Sequence, residues 1–411
     1  MPRRVAYDVL CQVLGKKRPL DEAFNSHAHL EKLSPKAKAF SRALVTSSLR
    51  HKGFIDHLID GCLDKRPKGA ARDVLNIMRL GVAQLYFMHV PPHAAVNEAL
   101  KLAPYAKLIQ YKNLINAVLR RIDREKQDFP PEEIARKNIP DWLYESWVNA
   151  YGEETALDIA IGHLKEAPLD ITPKYADEAV IWAKRLEGTV LANGTVRTEI
   201  GGRIEELDGY GNGSWWVQDA AASHPVKMLG DIKGKTVLDL CAAPGGKTMQ
   251  LSAAGAHVIA VDKSENRLKR VTENLERTKL KADLIAADLM DWQPADPVDA
   301  ILLDAPCSAT GTLRRHPDGL WTKKPEDIKA MGDIQGTLWH RASTWVKPGG
   351  SIVYCTCSLQ PEEGELMLKA FLKGHANFEQ VGDVFRSLPS DKQENGAQDG
   401  FFAAHVIRKE D

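Results

Sequence analysis

The sequence predicts a multidomain protein: an all-α N-terminal domain, a small α+β subdomain, and a Rossmann-like α/β domain built on a doubly wound parallel sheet. Three observations carry this. The first 128 residues space their apolar side chains by three and four and show no strand alternation. Residues 201–213 hold glycines at 201, 202, 209, 211 and 213, which suits loops and hairpins. From residue 236 onward, short apolar runs alternate with helical segments, the pattern of parallel strands joined by crossover helices.

The N-terminal helices follow from local signals. Val5, Val9 and Val13 recur every four residues beside Ala6, Leu10 and Leu14, giving one apolar face. Ser34-Pro35 is an N-cap followed by proline at the first helical position, opening a helix toward Leu49. The pattern continues over Phe54 to Leu63 and Ala70 to Met88, breaks at Pro91-Pro92, and resumes over His93 to Leu102 and Asn113 to Ile122. This predicts six or seven helices over 1–128. Pro130-Pro131 and Pro140 predict a linker at 129–140, followed by the α+β subdomain over 141–215 and the α/β domain over 216–411.

Five strands are predicted in the α/β domain: Thr236 to Cys241, Val258 to Asp262, Leu284 to Asp288, Asp299 to Asp304, and Ser351 to Cys355. Helices are expected between most of them, at 247–254, 264–278, 325–345 and 361–373. Doubly wound sheets bind ligands at the carboxyl ends of their strands. Asp239, Asp262, Asp288, Asp304 and Cys357 fall at or near those ends and are site candidates on topology alone.

Composition narrows the class. The chain has 411 residues, which suggests two or three domains, and 44% hydrophobic with 27% charged residues is an ordinary globular balance. No apolar run approaches the ~20 residues that span a bilayer. The basic N-terminus interrupts its apolar residues too often for a signal peptide, and the cysteine usage fits a reduced cytoplasmic compartment. The cysteines, at 11, 62, 241, 307, 355 and 357, form neither a disulfide framework nor a zinc site, and no metal is expected. Cys11, Cys62, Cys241 and Cys355 read as core. The net charge is zero, yet residues 1–140 hold 25 basic and 14 acidic residues against 30 and 41 in the remainder. That asymmetry suggests a polyanion-binding module joined to an acidic domain, or simply solvated helix faces.

The first loop of the α/β domain, VLDLCAAPGGKT, rules against nucleotide hydrolysis. A phosphate-cradling loop needs G-x-x-x-x-G-K-T, and Cys241 stands where its first glycine belongs. The redox-dinucleotide pattern G-x-G-x-x-G is also missing. A glycine turn followed 17 residues later by an acid (Gly245 to Asp262) matches ribose recognition. An adenosine cofactor without a pyrophosphate fits, with S-adenosylmethionine foremost.

Cys241-Ala-Ala-Pro-Gly-Gly-Lys-Thr248, Asp304-Ala-Pro-Cys307-Ser-Ala-Thr-Gly311 and Thr356-Cys357-Ser358, in this order, resemble the RNA cytosine-carbon-5 methyltransferases of the RsmB/Sun/Nop2 family. Val217-Gln218-Asp219-Ala220-Ala221, Arg314-Arg315-His316-Pro317-Asp318 and Asp399-Gly400-Phe401-Phe402 extend the resemblance. HAAVNEALKLA (93–103) and NLINAVLRRI (113–122) are similar to phrases of the NusB-type RNA-binding domain, which points to the RsmB subgroup and to 16S rRNA, possibly within a pre-ribosomal particle. A monomer is expected.

The resemblance implies Cys357 as nucleophile toward carbon 6 of cytosine and Cys307 as the residue that assists product release. DNA cytosine methyltransferases place their nucleophile in a Pro-Cys pair, which keeps Cys307 as the alternative. Asp304 would hydrogen-bond or protonate nitrogen 3 of the ring, with Lys247 orienting it. The cofactor site would comprise Cys241, Ala242, Ala243, Pro244, Gly245, Gly246 and Lys247, with Asp262 at the ribose, Asp288 near the adenine and Asp304 between cofactor and base. Arg314, Arg315 and His316 would contact RNA phosphates, or form a solvated loop. The family's Leu-Arg-x-Asn phrase is missing from Pro168–Pro173, so no site residue is assigned over 150–215. The same chemistry on tRNA or 23S rRNA, and a non-catalytic RNA-binding or transcription-complex protein, are the alternatives. Two cysteine motifs and a cofactor loop argue against the last.

Overall fold

A computed structural model describes residues 1–390 and 396–410 and divides the chain into two compact units. Residues 1–166 and 313–324 form the first; residues 167–312 and 325–411 form the second.

The first unit is helical. Its principal helices are α1 (Pro2–Lys16), α2 (Pro35–Arg50), α3 (Lys52–Asp60), α4 (Val74–Tyr86), α5 (Pro92–Leu100), α6 (Lys112–Arg124), α7 (Pro131–Asn138), α8 (Asp141–Tyr151) and α9 (Glu153–Leu164). The Ser34 hydroxyl caps α2 by accepting from the Ala37 amide. Along α6, Ile115, Val118, Leu119 and Ile122 turn inward while the intervening basic residues face water. α4 is buried nearly all round and forms the centre of the unit.

The linker expected at 129–140 is instead largely α7, which joins the helical unit. Gly53 of α3 makes this close approach feasible: a Cβ there would sit 1.9 Å from the Lys137 carbonyl oxygen. The Asn138 side chain, fully buried, accepts from the Phe54 amide at 3.0 Å and donates to the Ile134 carbonyl. Prolines 130, 131 and 140 therefore start helices rather than separate domains. α8 and α9, expected with the α+β subdomain, belong to the same unit, and Trp147 of α8 is fully buried.

The segment 313–324 returns to this unit from the far side of the sequence. The Leu20 amide donates to Asp318 at 3.0 Å, Arg50 donates to the Arg314 carbonyl at 3.0 Å, and Trp321 donates to the Leu49 carbonyl at 2.7 Å. Arg314 is only 1% exposed, which corrects the expectation that its guanidinium meets RNA. His316 remains exposed and lies 3.7 Å from Asp21.

The second unit opens with β1 (Leu169–Pro173), α10 (Ala179–Arg185), β2 (Gly188–Val190), β3 (Val196–Thr198) and β4 (Trp215–Val217). These strands form an antiparallel sheet in the order β2-β3-β1-β4, closed by Trp182, Leu186 and Trp215. The main sheet follows: β5 (Thr236–Leu240), α11 (Gly246–Ala253), β6 (His257–Asp262), α12 (Glu265–Thr278), β7 (Asp283–Ala286), β8 (Val298–Asp304), α13 (Pro325–Trp345), β9 (Val346–Thr356), α14 (Glu365–Gly374), β10 (Phe378–Gln380), β11 (Phe385–Ser387) and β12 (Phe401–Arg408). The strand order is β10-β12-β9-β8-β5-β6-β7, with β11 paired to β12. β5 to β9 are parallel; β10, β11 and β12 add an antiparallel edge that sequence reading did not anticipate. The order reverses between β5 and β8, so their carboxyl ends diverge into the crevice where such sheets bind ligands.

Gly53→Ala is expected to force α3 and α7 apart, costing about 1–3 kcal/mol and lowering the thermal midpoint. Gly15→Ala, where a Cβ meets nothing within 4 Å, is expected not to lower it. Parallel thermal melts of the two variants test this.

Candidate active site

The loop after β5 turns sharply. Cys241 adopts φ 63°, and the Ala242 amide donates to Val261 of β6 at 3.1 Å. Gly245 adopts φ 100°, and a Cβ there would press on Val271 Cγ1 at 3.0 Å. α11 then starts at Gly246 and carries Lys247 on its first turn. From there the Lys247 ammonium crosses the switch point to Asp304 Oδ2 at the end of β8, a distance of 2.8 Å. Burial alone would push Lys247 down, but the adjacent Asp304 outweighs it and holds the pKa above the usual lysine range. The other Asp304 oxygen accepts from the Cys355 thiol at 3.6 Å. Cys355 is core, as expected, yet it also touches this carboxylate.

The sulfur atoms of Cys307 and Cys357 lie 3.5 Å apart, a contact between free thiols rather than a disulfide. The hydrogen bond to Cys357 and then burial raise the Cys307 thiol well above its ordinary value. Either sulfur can be the donor across this contact. The two loops also pair through backbone: the Gly311 amide donates to the Cys357 carbonyl and the Ala305 amide to the Cys355 carbonyl, both at 3.0 Å.

A residue that sequence reading missed holds this pair in place. Glu363 is fully buried. Its Oε1 accepts from the Ser308 amide at 2.8 Å and from Gln335 Nε2 at 2.9 Å; its Oε2 accepts from the hydroxyls of Ser308 and Ser358. Ser308 and Ser358 each follow one of the cysteines, so a single carboxylate fixes both loops. The available signal was a glutamate five residues beyond Ser358, too ordinary by itself to single out.

The remaining expected residues divide by strand. Asp262 is buried at the end of β6, where it accepts from the Ala243 amide at 3.1 Å and the Ser264 amide at 2.9 Å. Asp288 follows β7 and pairs with Lys263 at 2.7 Å, an interaction that lowers its pKa. The Cys241 thiol is pushed up to about 12, chiefly by burial. Asp239 is fully buried in β5; burial raises its carboxyl to about 7. Thr248 donates to its Oδ2, while Oδ1 has no hydrogen-bond partner among the described residues.

This set fits S-adenosylmethionine. Its ammonium, sulfonium and ribose hydroxyls call for acceptors and negative charge, and Asp262, Asp288 and Asp304 stand at or just past the ends of β6, β7 and β8. Gly245 and Gly246 keep side chains off the turn. Beside Lys247 and Asp304 a cavity of about 430 Å³ runs to Trp216, Gln218, Arg270 and Arg277. Asp219 lines the same cavity; its carboxylate accepts from the Asp399 amide at 3.1 Å and so joins two segments that the sequence holds 180 residues apart. Among the described residues no cluster of three or more His, Cys, Asp or Glu could hold a metal ion, and no helix is long and apolar enough to cross a membrane.

Glu363→Ala removes the acceptor of four donors in a dry site. A loss of at least about 3 kcal/mol is expected. Diamide should also close the Cys307–Cys357 disulfide more slowly, because the sulfurs are no longer held together. Denaturant titration and thiol counting check the two effects separately.

Comparison with known proteins places the chain. A family model described as 16S rRNA methyltransferase RsmB/F matches residues 226–407, and the NusB family model matches residues 1–124. Ribosomal RNA small subunit methyltransferase B from Cronobacter sakazakii is 33% identical, with 99% of this chain and 98% of that one covered. The protein of the same name from Vibrio vulnificus is 34% identical, with 99% of each covered. The crystal structure of PH0851 shares the fold with a TM-score of 0.78 at 22% identity, covering 99% of both chains. The chain belongs to the RsmB/F family of 16S rRNA methyltransferases, with a NusB-family domain at its N-terminal end.

Proposed function

We propose that the chain methylates carbon 5 of one cytosine in 16S rRNA through a covalent adduct between Cys357 and carbon 6 of the base. The observation that carries this reading is the pair of thiols at 3.5 Å beside the Lys247–Asp304 ion pair. Carbon 5 of cytosine is a poor nucleophile, and a second thiol has no purpose in methyl transfer to nitrogen or oxygen. S-adenosylmethionine, when bound, supplies an electrophilic methyl group to the activated carbon.

The residues divide the work as follows. The Cys357 thiolate forms a bond to carbon 6, and the electrons of the 5,6 double bond move toward nitrogen 3 and carbon 5. Nitrogen 3 takes up a proton from solvent as that charge arrives and donates it in a hydrogen bond to the Asp304 carboxylate, whose charge the Lys247 ammonium balances. After methylation a base removes the carbon-5 proton. The double bond re-forms, the sulfur–carbon bond breaks, and Cys307 assists this release. Asp262 would hold the ribose hydroxyls of the cofactor, residues 241–247 would wrap its methionine end, and Asp288 would lie by its adenine. The target base must leave its stack to reach the thiols. The NusB-type domain supplies RNA affinity through its basic surface, and the protein acts as a cytoplasmic monomer.

Labelled S-adenosylmethionine and unmodified 16S rRNA test the reading, with mass mapping of the product. A single 5-methylcytosine is expected. Cys357→Ala is expected to lower transfer by at least about 10³-fold while cofactor binding persists. Cys307→Ala is expected to accumulate a covalent protein–RNA adduct, visible on a denaturing gel. An adduct with Cys357→Ala alone would reverse the two roles.

A further inference from the structure

The helical unit contains a cavity of about 460 Å³ between the end of α1, the segment before α4, and Trp321. Its walls carry Lys17, Lys52, Arg66, Lys68, Arg72 and Arg79, and the one acidic side chain among its lining residues is Asp73. Three of these cations are already engaged. Arg79 donates twice to the buried Asp56, at 2.7 and 2.9 Å, and Lys52 and Arg66 reach the same carboxylate at 2.9 and 3.0 Å. Lys17, Lys68 and Arg72 are exposed at the rim. Lys17 is held below the usual lysine value, first by desolvation and then by repulsion from Arg72 and Lys324. Like charges are thus gathered in one concavity with too few acids to neutralise them.

We propose that this cavity binds phosphodiester groups of the substrate RNA. The inference rests on the reading of the chain as an RNA methyltransferase, and it assigns a site to the affinity that reading requires. An RNA backbone supplies successive anions for several cations along one cavity, the class of ligand that a cluster of basic side chains neutralises. The Trp321 indole forms one wall. Lys52 lies over its ring at 4.1 Å, and Lys17 donates to its carbonyl at 2.6 Å. Trp321 belongs to the segment that continues from the Cys307 loop, fourteen residues further along the chain. The same stretch of polypeptide therefore serves the nucleophile pair at one end and the phosphate cavity at the other. Arg79 and Lys52 fix the floor as positioning residues, while Lys17, Lys68 and Arg72 meet the ligand.

The test uses the full chain with Lys17→Ala, Lys68→Ala and Arg72→Ala combined, and unmodified 16S rRNA transcript across a salt series. The Kd is expected to rise about tenfold. The slope of log K against log salt is expected to become shallower by about two, since each single-strand phosphate left without its cation takes away about 0.7. The kcat/KM for RNA is expected to fall in parallel, with affinity for S-adenosylhomocysteine held. Restoring charge with Lys17→Arg and Arg72→Lys is expected to restore the salt slope. An unchanged Kd and slope in the triple variant overturns the proposal even when the wild-type chain methylates the transcript. A wild-type chain that binds the RNA with the expected slope difference, yet makes no 5-methylcytosine, overturns the proposed reaction and leaves the cavity assignment standing.

Discussion

The second unit depends on one buried carboxylate. Glu363 sits below the two cysteine loops with both of its oxygens engaged, and its acceptor sites are filled by neutral donors. Such a group is tolerable in a dry interior only when donors surround it. Ser308, Ser358 and Gln335 supply them. The carbonyl of the same residue accepts from the hydroxyls of Tyr354 and Thr356. The ladder between β8 and β9 ends at Asp304 and Cys355, and beyond it the carboxylate adds to the backbone bond from Gly311 to Cys357 in holding the loops together. The contact between the two sulfurs is thus supported both by backbone bonds between their loops and by the hydrogen bonds of Glu363.

A second constraint operates in parallel at the switch point. Lys247 and Asp304 stand on different strands' connections and meet because β5 and β8 are neighbours in register, with Leu240 opposite Leu303. The pair is nearly dry on the lysine side, with 10% side-chain exposure against 31% for the aspartate. The lysine is thus fixed by the fold, and the carboxylate retains an open face on which to work.

Much of this was legible in the sequence because it is local. The Ser34-Pro35 helix start, the parallel strands and the glycine turn each depend on a few contiguous residues, and periodicity or turn chemistry records them directly. The features that escaped are non-local. Glu363 looks like any glutamate near a helix start until the fold buries it. Arg314 reads as a phosphate contact because it follows a catalytic motif, but the segment that bears it packs into the helical unit. Prolines at 130, 131 and 140 signal breaks, and a helix beginning at each break is an equally good solution once Gly53 permits close packing. β10 and β11 are three residues each, and antiparallel edges leave weaker patterns than buried parallel strands.

The return of residues 313–324 to the helical unit has a consequence for how the protein can be divided. Sequence position and physical membership disagree along this stretch. Cutting the chain after residue 166 would leave a half bearing Trp321 without the helical core it packs on and without the Leu49 carbonyl, and Asp318 without the amide of Leu20. Neither piece is a natural fragment, and the modules can be exchanged between relatives only if the twelve-residue insert travels with its helical host.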